Sequence, residues 1–433
     1  MKEKEFDIII IGAGAAGLIA AWELAQAGRT VAILEAKNRV GGRVHTISDQ
    51  RFDLPVELGP EFVHGELELT QMLLKKSGTE QYEVAGDIWQ KHEGELEEQK
   101  DFIEDYSALN KKFKELKHDI SVADFFDTYL QEDKMEDLRF SLKNYVEGYY
   151  AADTLKASSF SLRDELNSGE DKQYRVEGGY VKLVSYLWSE CRKNNVELFL
   201  SHPVQKVSWE KDHVLVSAYG KEFTASAVLL TVPLGVLQTE MIRFSPALPK
   251  QMAAARQLGF GPVIKTILQF EDAFWTNKKY TRKKNLEKLS FIFSEAVIPT
   301  WWTYHPKNAA MITGWSGGPH ADEIKELDDK MILEKALESL ADIFDISVEE
   351  LHSKLKGSHV ANWVEDPYCC GGYSYEVVGG EEAKNILRTP VENTIFFAGE
   401  ALVENAEIGT VEAALKNGRD TAMEMLARIK QDT

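Results

Sequence analysis

The pattern of apolar and polar positions changes character several times along the chain. Residues 6–11 form an apolar run, 15–27 have helical composition closed by Gly28, and 30–34 are apolar and β-branched again. That order predicts strand, helix, strand, the opening of a βαβ unit. From about residue 66 to 168 the texture is polar and rich in Lys and Glu, which predicts long helices. Short alternating runs return over 204–232, with 214–216 and 228–230 as strands. Within 328–344, Met331, Leu333, Leu337, Leu340 and Phe344 fall near one helical face, and Ser347 with Glu350 reads as a capping box opening another helix. The tail regains the opening texture, with a strand at 394–397, a turn at Gly399 and a helix over about 410–428.

The return of strand–turn–helix texture at the end predicts an interleaved α/β architecture. A Rossmann-type domain is assembled from 1–65, 178–245 and 385–433, and an α+β domain is inserted as 66–177 and 246–384. With 433 residues, two domains are the natural division.

Charge narrows the classes of partner. There are 50 Lys and Arg against 70 Asp and Glu, a net of −20. Nucleic acids and anionic membrane surfaces call for basic patches, so both are excluded as expectations. The basic run over 278–284 reads as a solvated loop, since it lacks aromatic platforms between its charges. The excess is uneven: 66–105 holds twelve acids and four bases, and 322–350 holds eleven acids and three bases. Each segment is net −8, which leaves −4 for the rest of the chain. A negative inserted domain could steer cations to a site, with solubility as the plainer explanation.

Cys191, Cys369 and Cys370 are an odd number with no CxxC pair, so neither a disulfide framework nor a zinc site is indicated, and no metal is expected. A cytoplasmic location is the simplest reading. The uncharged run over 8–22 lies between Asp7 and Glu23 and is too short to span a membrane; no anchor is expected at the polar end either.

Three glycines in that run have a chemical meaning. Gly12-Ala13-Gly14-Ala15-Ala16-Gly17 is GxGxxG between a strand and a helix, and Glu35 follows 18 residues after Gly17 at the end of the second strand. Gly12 permits a tight turn, Gly14 lets backbone approach a pyrophosphate, Gly17 lets helix lie on sheet, and Glu35 can accept from ribose hydroxyls. A structural glycine turn is the alternative. Arg39-Val40-Gly41-Gly42-Arg43 follows, a second glycine pair and arginine that suit a long buried dinucleotide.

With those motifs the sequence resembles the FAD-dependent amine oxidases, the group that includes monoamine oxidases, polyamine oxidases and flavin-type histone lysine demethylases. The resemblance extends through the segments 57–65, 178–180, 232–237, 258–261 and 397–400, and it is loose over the acidic stretch 66–160. It implies FAD as cofactor and a cofactor-binding set of Gly12, Gly14, Ala15, Ala16, Gly17, Glu35, Ala36, Gly42, Arg43, Gly59, Pro60, Glu61, Phe62, Val204, Trp363, Tyr368, Gly399, Glu400, Gly409, Thr410 and Val411. In that set Val204 meets the adenine, Glu400 the ribityl or phosphate region, and the amides after Thr410 the pyrimidine end of the flavin.

The resemblance also implies catalytic roles. Lys265 would hold a water beside flavin N5, whereas its surroundings alone read as an edge strand with an exposed lysine. Tyr373 stands where covalently flavinylated relatives carry a cysteine, which implies noncovalent FAD and makes Tyr373 one wall of an aromatic cage, with Thr410 opposite. Cys369 and Cys370 read as packing residues. Glu61 and His64 are the substrate-binding candidates, each with an ordinary alternative as a surface carboxylate and a loop histidine. No arginine follows the Leu58-Gly59-Pro60 turn, which disfavours an α-carboxylate substrate. The expectation is oxidation of a primary or secondary amine to an imine and then an aldehyde, with dioxygen reduced to hydrogen peroxide, by a monomer or homodimer. Two rivals remain: a flavin enzyme acting on carbon–carbon bonds, of the protoporphyrinogen or carotenoid oxidase type, and a flavin-free protein resembling the Rab GDP-dissociation inhibitors.

Overall fold

The computed structural model describes residues 5–65, 67–103, 106–167, 172–403 and 407–429. Its largest sheet has eight strands. They run Glu197–Phe199, Val31–Leu34, Glu5–Ile11, Lys221–Leu230, His213–Ala218, Val204–Glu210 and Arg243–Ser245, with Ile395–Phe397 also paired to Lys221–Leu230. Glu5–Ile11 is parallel to both its neighbours and is covered on both faces, which is why it reads as an unbroken apolar run. One face carries the helices Ala15–Gln26, Val181–Lys193 and Val411–Arg428. The first and last of these approach closely at Gly418, where a Cβ would lie 2.4 Å from the Ala16 carbonyl oxygen.

The second large sheet has seven strands in the order Leu355–Asn362, Val263–Phe270, Met311–Gly317, Thr300–Thr303, Leu289–Ser294, Asp87–His92 and Glu95–Gln99. Its last two strands correct the expectation that 66–168 is helical throughout. Trp89 and Leu96 are buried while Glu95, Glu97 and Glu98 are exposed, so the pattern there is an edge hairpin, and strand pairing overrides the helical preference of its Lys and Glu residues. Helices do fill most of 106–166.

Three small sheets carry the site. Phe62–His64 and Gln81–Glu83 flank Gln173–Val176, Gly259–Gly261 pairs with Tyr373–Tyr375, and Thr46–Ile47 pairs with Val56–Glu57. The helix Asp329–Ile343 is present, but its buried face is Ile332, Ala336, Leu337, Leu340 and Ile343. Of the predicted stripe, Leu337, Leu340 and Phe344 are buried and Leu333 is half-buried, while Met331, in the first turn next to the Asp328 cap, is exposed. Ser347 caps the following helix through the Glu350 amide. Among the described residues no helix is long and apolar enough to cross a membrane, and no group of three or more His, Cys, Asp or Glu could hold a metal ion.

Candidate active site

A cavity of about 1270 Å³ runs from the glycine-rich loop to the second sheet. Every residue of the expected cofactor-binding set except Gly17 lines it, together with Lys265, Tyr373 and His64. Gly17 lies behind the wall, and a Cβ there would sit 2.1 Å from the Gly12 carbonyl oxygen.

The loop end is made of backbone. Gly12 has φ +112, a conformation open to glycine, while a Cβ on Gly14 would meet nothing within 4 Å and would project into free space. The Ala15–Gln26 helix begins with no side-chain cap and no acid in its first turn, so its amides and positive end are available to an anion. Glu35 is buried, and each of its oxygens is fixed by one amide: Ala13 N at 2.7 Å and Lys37 N at 2.8 Å. Burial pushes the Glu35 carboxyl up, and these two amides and the Lys37 and Arg39 charges partly offset that. Gly59 lets the next turn close on Arg43, since a Cβ there would lie 1.9 Å from the Arg43 oxygen. Arg43 donates to Gly372 O at 2.8 Å and pairs with Glu400 at 2.7 Å. Trp363 is fixed by its indole N–H on Leu58 O at 2.8 Å. Uncapped amides, a held carboxylate and a paired arginine fit the pyrophosphate and ribose of a dinucleotide.

The far end is made of side chains from many elements. Lys265 is fully buried on the central Val263–Phe270 strand, between Met311–Gly317 and Leu355–Asn362, which corrects the edge-strand alternative. Its ammonium donates to Glu57 O at 2.7 Å, Gly59 O at 3.3 Å and Glu61 Oε2 at 2.6 Å. Glu61 is equally buried. Its Oε1 accepts from Arg175 Nε at 2.9 Å and Trp302 Nε1 at 3.1 Å. Burial pushes the Glu61 carboxyl up, but the Lys265 and Arg175 charges outweigh it and hold the carboxyl below its ordinary range. The Glu57 side chain, without such a close cation, is pushed up to about 7 by burial.

Tyr373 stacks on Trp315, with ring centroids 6.2 Å apart and planes at 25°, and its hydroxyl donates to Tyr149 O. Gly409 abuts the Tyr373 ring, where a Cβ would come within 2.9 Å of Cδ2. The Thr410 hydroxyl caps the last helix, accepting from Ala413 N and donating to Glu407 O, and Thr410 lines the same cavity as Tyr373. His64 stands edge-on to Tyr149 at 5.2 Å, and burial lowers it to about 4, so it is neutral at neutral pH. Cys369 is buried on the cavity wall with its thiol pushed up to about 12 by burial, consistent with packing, and Cys370 is half-buried.

Sequence reasoning missed Arg175, Trp302, Trp315 and Tyr149. Arg175 carried a signal, a lone charge in the short Gln173–Val176 strand. The aromatic residues carried none that separates a cavity wall from a core.

The family described as flavin containing amine oxidoreductase matches residues 15–426. The chain is 28% identical to polyamine oxidase 3 of Oryza sativa subsp. japonica, over 97% of this chain and 89% of that protein. It is also 28% identical to polyamine oxidase 2 of Arabidopsis thaliana, over 99% and 90%. Against lysine-specific histone demethylase 2 of Homo sapiens it is 27% identical, over 91% of this chain and 50% of that one. Solved structures share the fold: a wild-type putrescine oxidase bound to putrescine has a TM-score of 0.78 at 22% identity, covering 98% and 100% of the two chains. The cyclohexylamine oxidase from Brevibacterium oxydans IH-35A has a TM-score of 0.80 at 19% identity, covering 99% and 100%.

Proposed function

The chain belongs to the flavin-containing amine oxidoreductases, an FAD-dependent family, and on that premise we propose that it oxidises a primary or secondary amine to an imine, which hydrolyses to an aldehyde, with dioxygen reduced to hydrogen peroxide. The observation that carries this reading is that Lys265 and Tyr373 stand on the wall of the same cavity as the glycine-rich loop and Glu35. In this reading 1–65, 178–245 and 385–433 hold the FAD, and 66–177 and 246–384 shape the substrate side. Gly12, Gly14 and the amides of Ala15 and Ala16 would hold the pyrophosphate, Glu35 the ribose, and Val204 would flank the adenine. When bound, FAD supplies the two-electron chemistry, taking reducing equivalents from the carbon next to nitrogen and delivering them to dioxygen. Tyr373 in the place of a cysteine supports noncovalent attachment.

The chain's own part is orientation and charge. Tyr373, backed by the Trp315 ring stacked on it, would offer aromatic surface to an amine, and Phe62, Phe291 and Trp302 continue an apolar wall that would exclude water from its carbon skeleton. His64, neutral in this setting, can hydrogen-bond a nitrogen without repelling an ammonium elsewhere on the substrate. Lys265 brings a buried positive charge to the cavity wall, where it would favour the anionic species formed as oxygen is reduced. The substrate amine must be uncharged to react, so turnover should rise with pH.

A peroxide-coupled screen over putrescine, spermidine, spermine, cyclohexylamine, aromatic monoamines and L-amino acids tests this. Peroxide with one of the amines and none with the amino acids is expected. Absence of peroxide with every amine, from a yellow FAD-loaded protein, would overturn the proposed activity; a colourless protein would point to the flavin-free rival.

A further inference from the structure

We propose that Glu61 and Arg175 are positioning residues for Lys265: the Glu61 carboxylate, held by Arg175 and Trp302, fixes the Lys265 ammonium at the cavity wall and supplies its counter-charge. The proposal rests on the reading that Lys265 faces the flavin, and it replaces the alternative in which Glu61 binds substrate.

The geometry runs as a chain of contacts from one sheet to another. An ammonium has three N–H donors, and the three acceptors around Lys265 are two carbonyl oxygens and one carboxylate oxygen, Glu61 Oε2. Glu61 therefore supplies the one bond of the three that joins opposite charges. The other Glu61 oxygen takes two donors, Arg175 Nε and Trp302 Nε1, so both ends of the carboxylate are fixed by protein and its orientation is set. Arg175 is itself immobilised. Its Nη2 donates to Thr303 O at 2.9 Å, and its guanidinium lies 4.7 Å from the Phe62 ring centroid and 4.9 Å from that of Tyr304. Arg175 reaches this place because Gln173–Val176 pairs with Phe62–His64 in the register that sets Phe62 opposite Arg175.

The charge count explains why the anion is needed. The groups facing Lys265 are Glu57, Glu61, Arg175 and the Trp302 ring at 5.4 Å, with the Tyr82 and Tyr304 hydroxyls around Arg175 and Glu61. Burial keeps both tyrosines protonated, and it pushes the Glu57 carboxyl up to about 7. Around neutral pH, Glu61 is thus the fully ionised carboxylate facing the two cations, with Glu57 only partly ionised beside it. A buried cation that loses its counter-ion gives up its proton more readily.

The test compares FAD-loaded wild type, Glu61→Gln, Lys265→Met, Arg175→Met, Arg175→Lys, Trp302→Phe and the double variant Glu61→Gln/Lys265→Met. Flavin absorbance spectra and reoxidation of the reduced protein by oxygen are followed between about pH 6 and 10, the range that spans neutral and alkaline titrations. Glu61→Gln is expected to gain a pH-dependent spectral change that the wild type lacks and the double variant loses. Its reoxidation is expected to fall about tenfold from neutral to alkaline pH. Arg175→Met is expected to slow reoxidation at every pH with no new step, and Arg175→Lys to recover part of the rate. Melting of the FAD-free proteins checks folding. Should Glu61→Gln not fold, Trp302→Phe, which keeps every charge, is expected to show a weaker form of the same spectral change. If Lys265→Met alters spectrum and reoxidation while neither Glu61→Gln nor Trp302→Phe introduces a pH step, the positioning proposal falls and the reading of Lys265 stands. If Lys265→Met matches the wild type in both, that reading falls and takes the proposal with it.

Discussion

The two ends of the cavity are built on different principles. The loop end uses main-chain amides, glycines and one held carboxylate within the first sixty residues, closed by the pairing of Arg43 with Glu400 of the tail. The far end uses a lysine, a glutamate, an arginine and aromatic rings drawn from strands more than two hundred residues apart. A backbone-built site depends on what a residue lacks, and a side-chain-built site on what it meets. The first kind tolerates no added atom; the second tolerates no missing partner.

The largest effect expected from this contrast is steric and belongs to the loop end. Gly17→Ala places a methyl 2.1 Å from Gly12 O and 2.8 Å from the Thr231 hydroxyl, so the helix must move off the strand. Loss of retained FAD is expected on gel filtration, with a drop in Tm; full retention of FAD would show that the loop adapts and the contrast is overdrawn. Gly14→Ala sharpens the point, because its methyl meets no protein atom and should damage FAD retention while leaving the FAD-free protein as stable as the wild type.

A smaller effect is expected at Glu35. Glu35→Gln keeps the shape and removes the charge, and one of its two oxygens can no longer accept from an amide. A charge-assisted bond is worth about 1.5–3 kcal/mol, so FAD affinity should weaken by roughly one to two orders of magnitude. Titration of the FAD-free variant with FAD checks this, and unchanged affinity would remove Glu35 from the binding set.

The smallest expected effect is a pH slope from the far end. Burial raises the Glu57 carboxyl from its ordinary value to about 7, so the folded protein holds a proton that the unfolded chain has released. This group's contribution is therefore favourable at acid pH, declines as pH rises from about 4.5 to about 7, and is level above that. Glu57→Gln lacks the titration, so its Tm deficit against the wild type should narrow by roughly 1 °C per kcal/mol across that window, as the unfolding entropy of a chain this long sets. A deficit constant with pH would mean that Glu57 stays ionised.

The same contrast governs what could be read from the sequence. GxGxxG, Glu35 and the flanking apolar runs are local, and each states its own geometry: a turn, a close approach, a strand end. They located the Rossmann segment and the loop end of the cavity directly. Lys265 and Tyr373 were reached through resemblance, since a lysine in an apolar strand has the same local pattern whether it is central or at an edge. Glu61 was recognised as a candidate, yet its partners Arg175 and Trp302 lie 114 and 241 residues away, and no periodicity connects them. The edge hairpin Asp87–Gln99 was misread because its polar composition favours helix, and only the pairing of Asp87–His92 with Leu289–Ser294 makes it a strand.

The close approach of the first and last helices at Gly418 has a consequence for how the protein is made. The Val411–Arg428 helix covers the Ala15–Gln26 helix, Ile395–Phe397 pairs with Lys221–Leu230, and the buried Glu412 carboxylate accepts from the amides of Leu69 and Thr70 at the start of the Glu68–Ser77 helix. During synthesis, the opening βαβ unit can therefore be covered by the Val181–Lys193 helix first and gains its last covering helix only after nearly four hundred further residues have emerged. The cavity wall supplied by Gly399, Glu400, Gly409, Thr410 and Val411 is likewise the last part of the site to leave the ribosome.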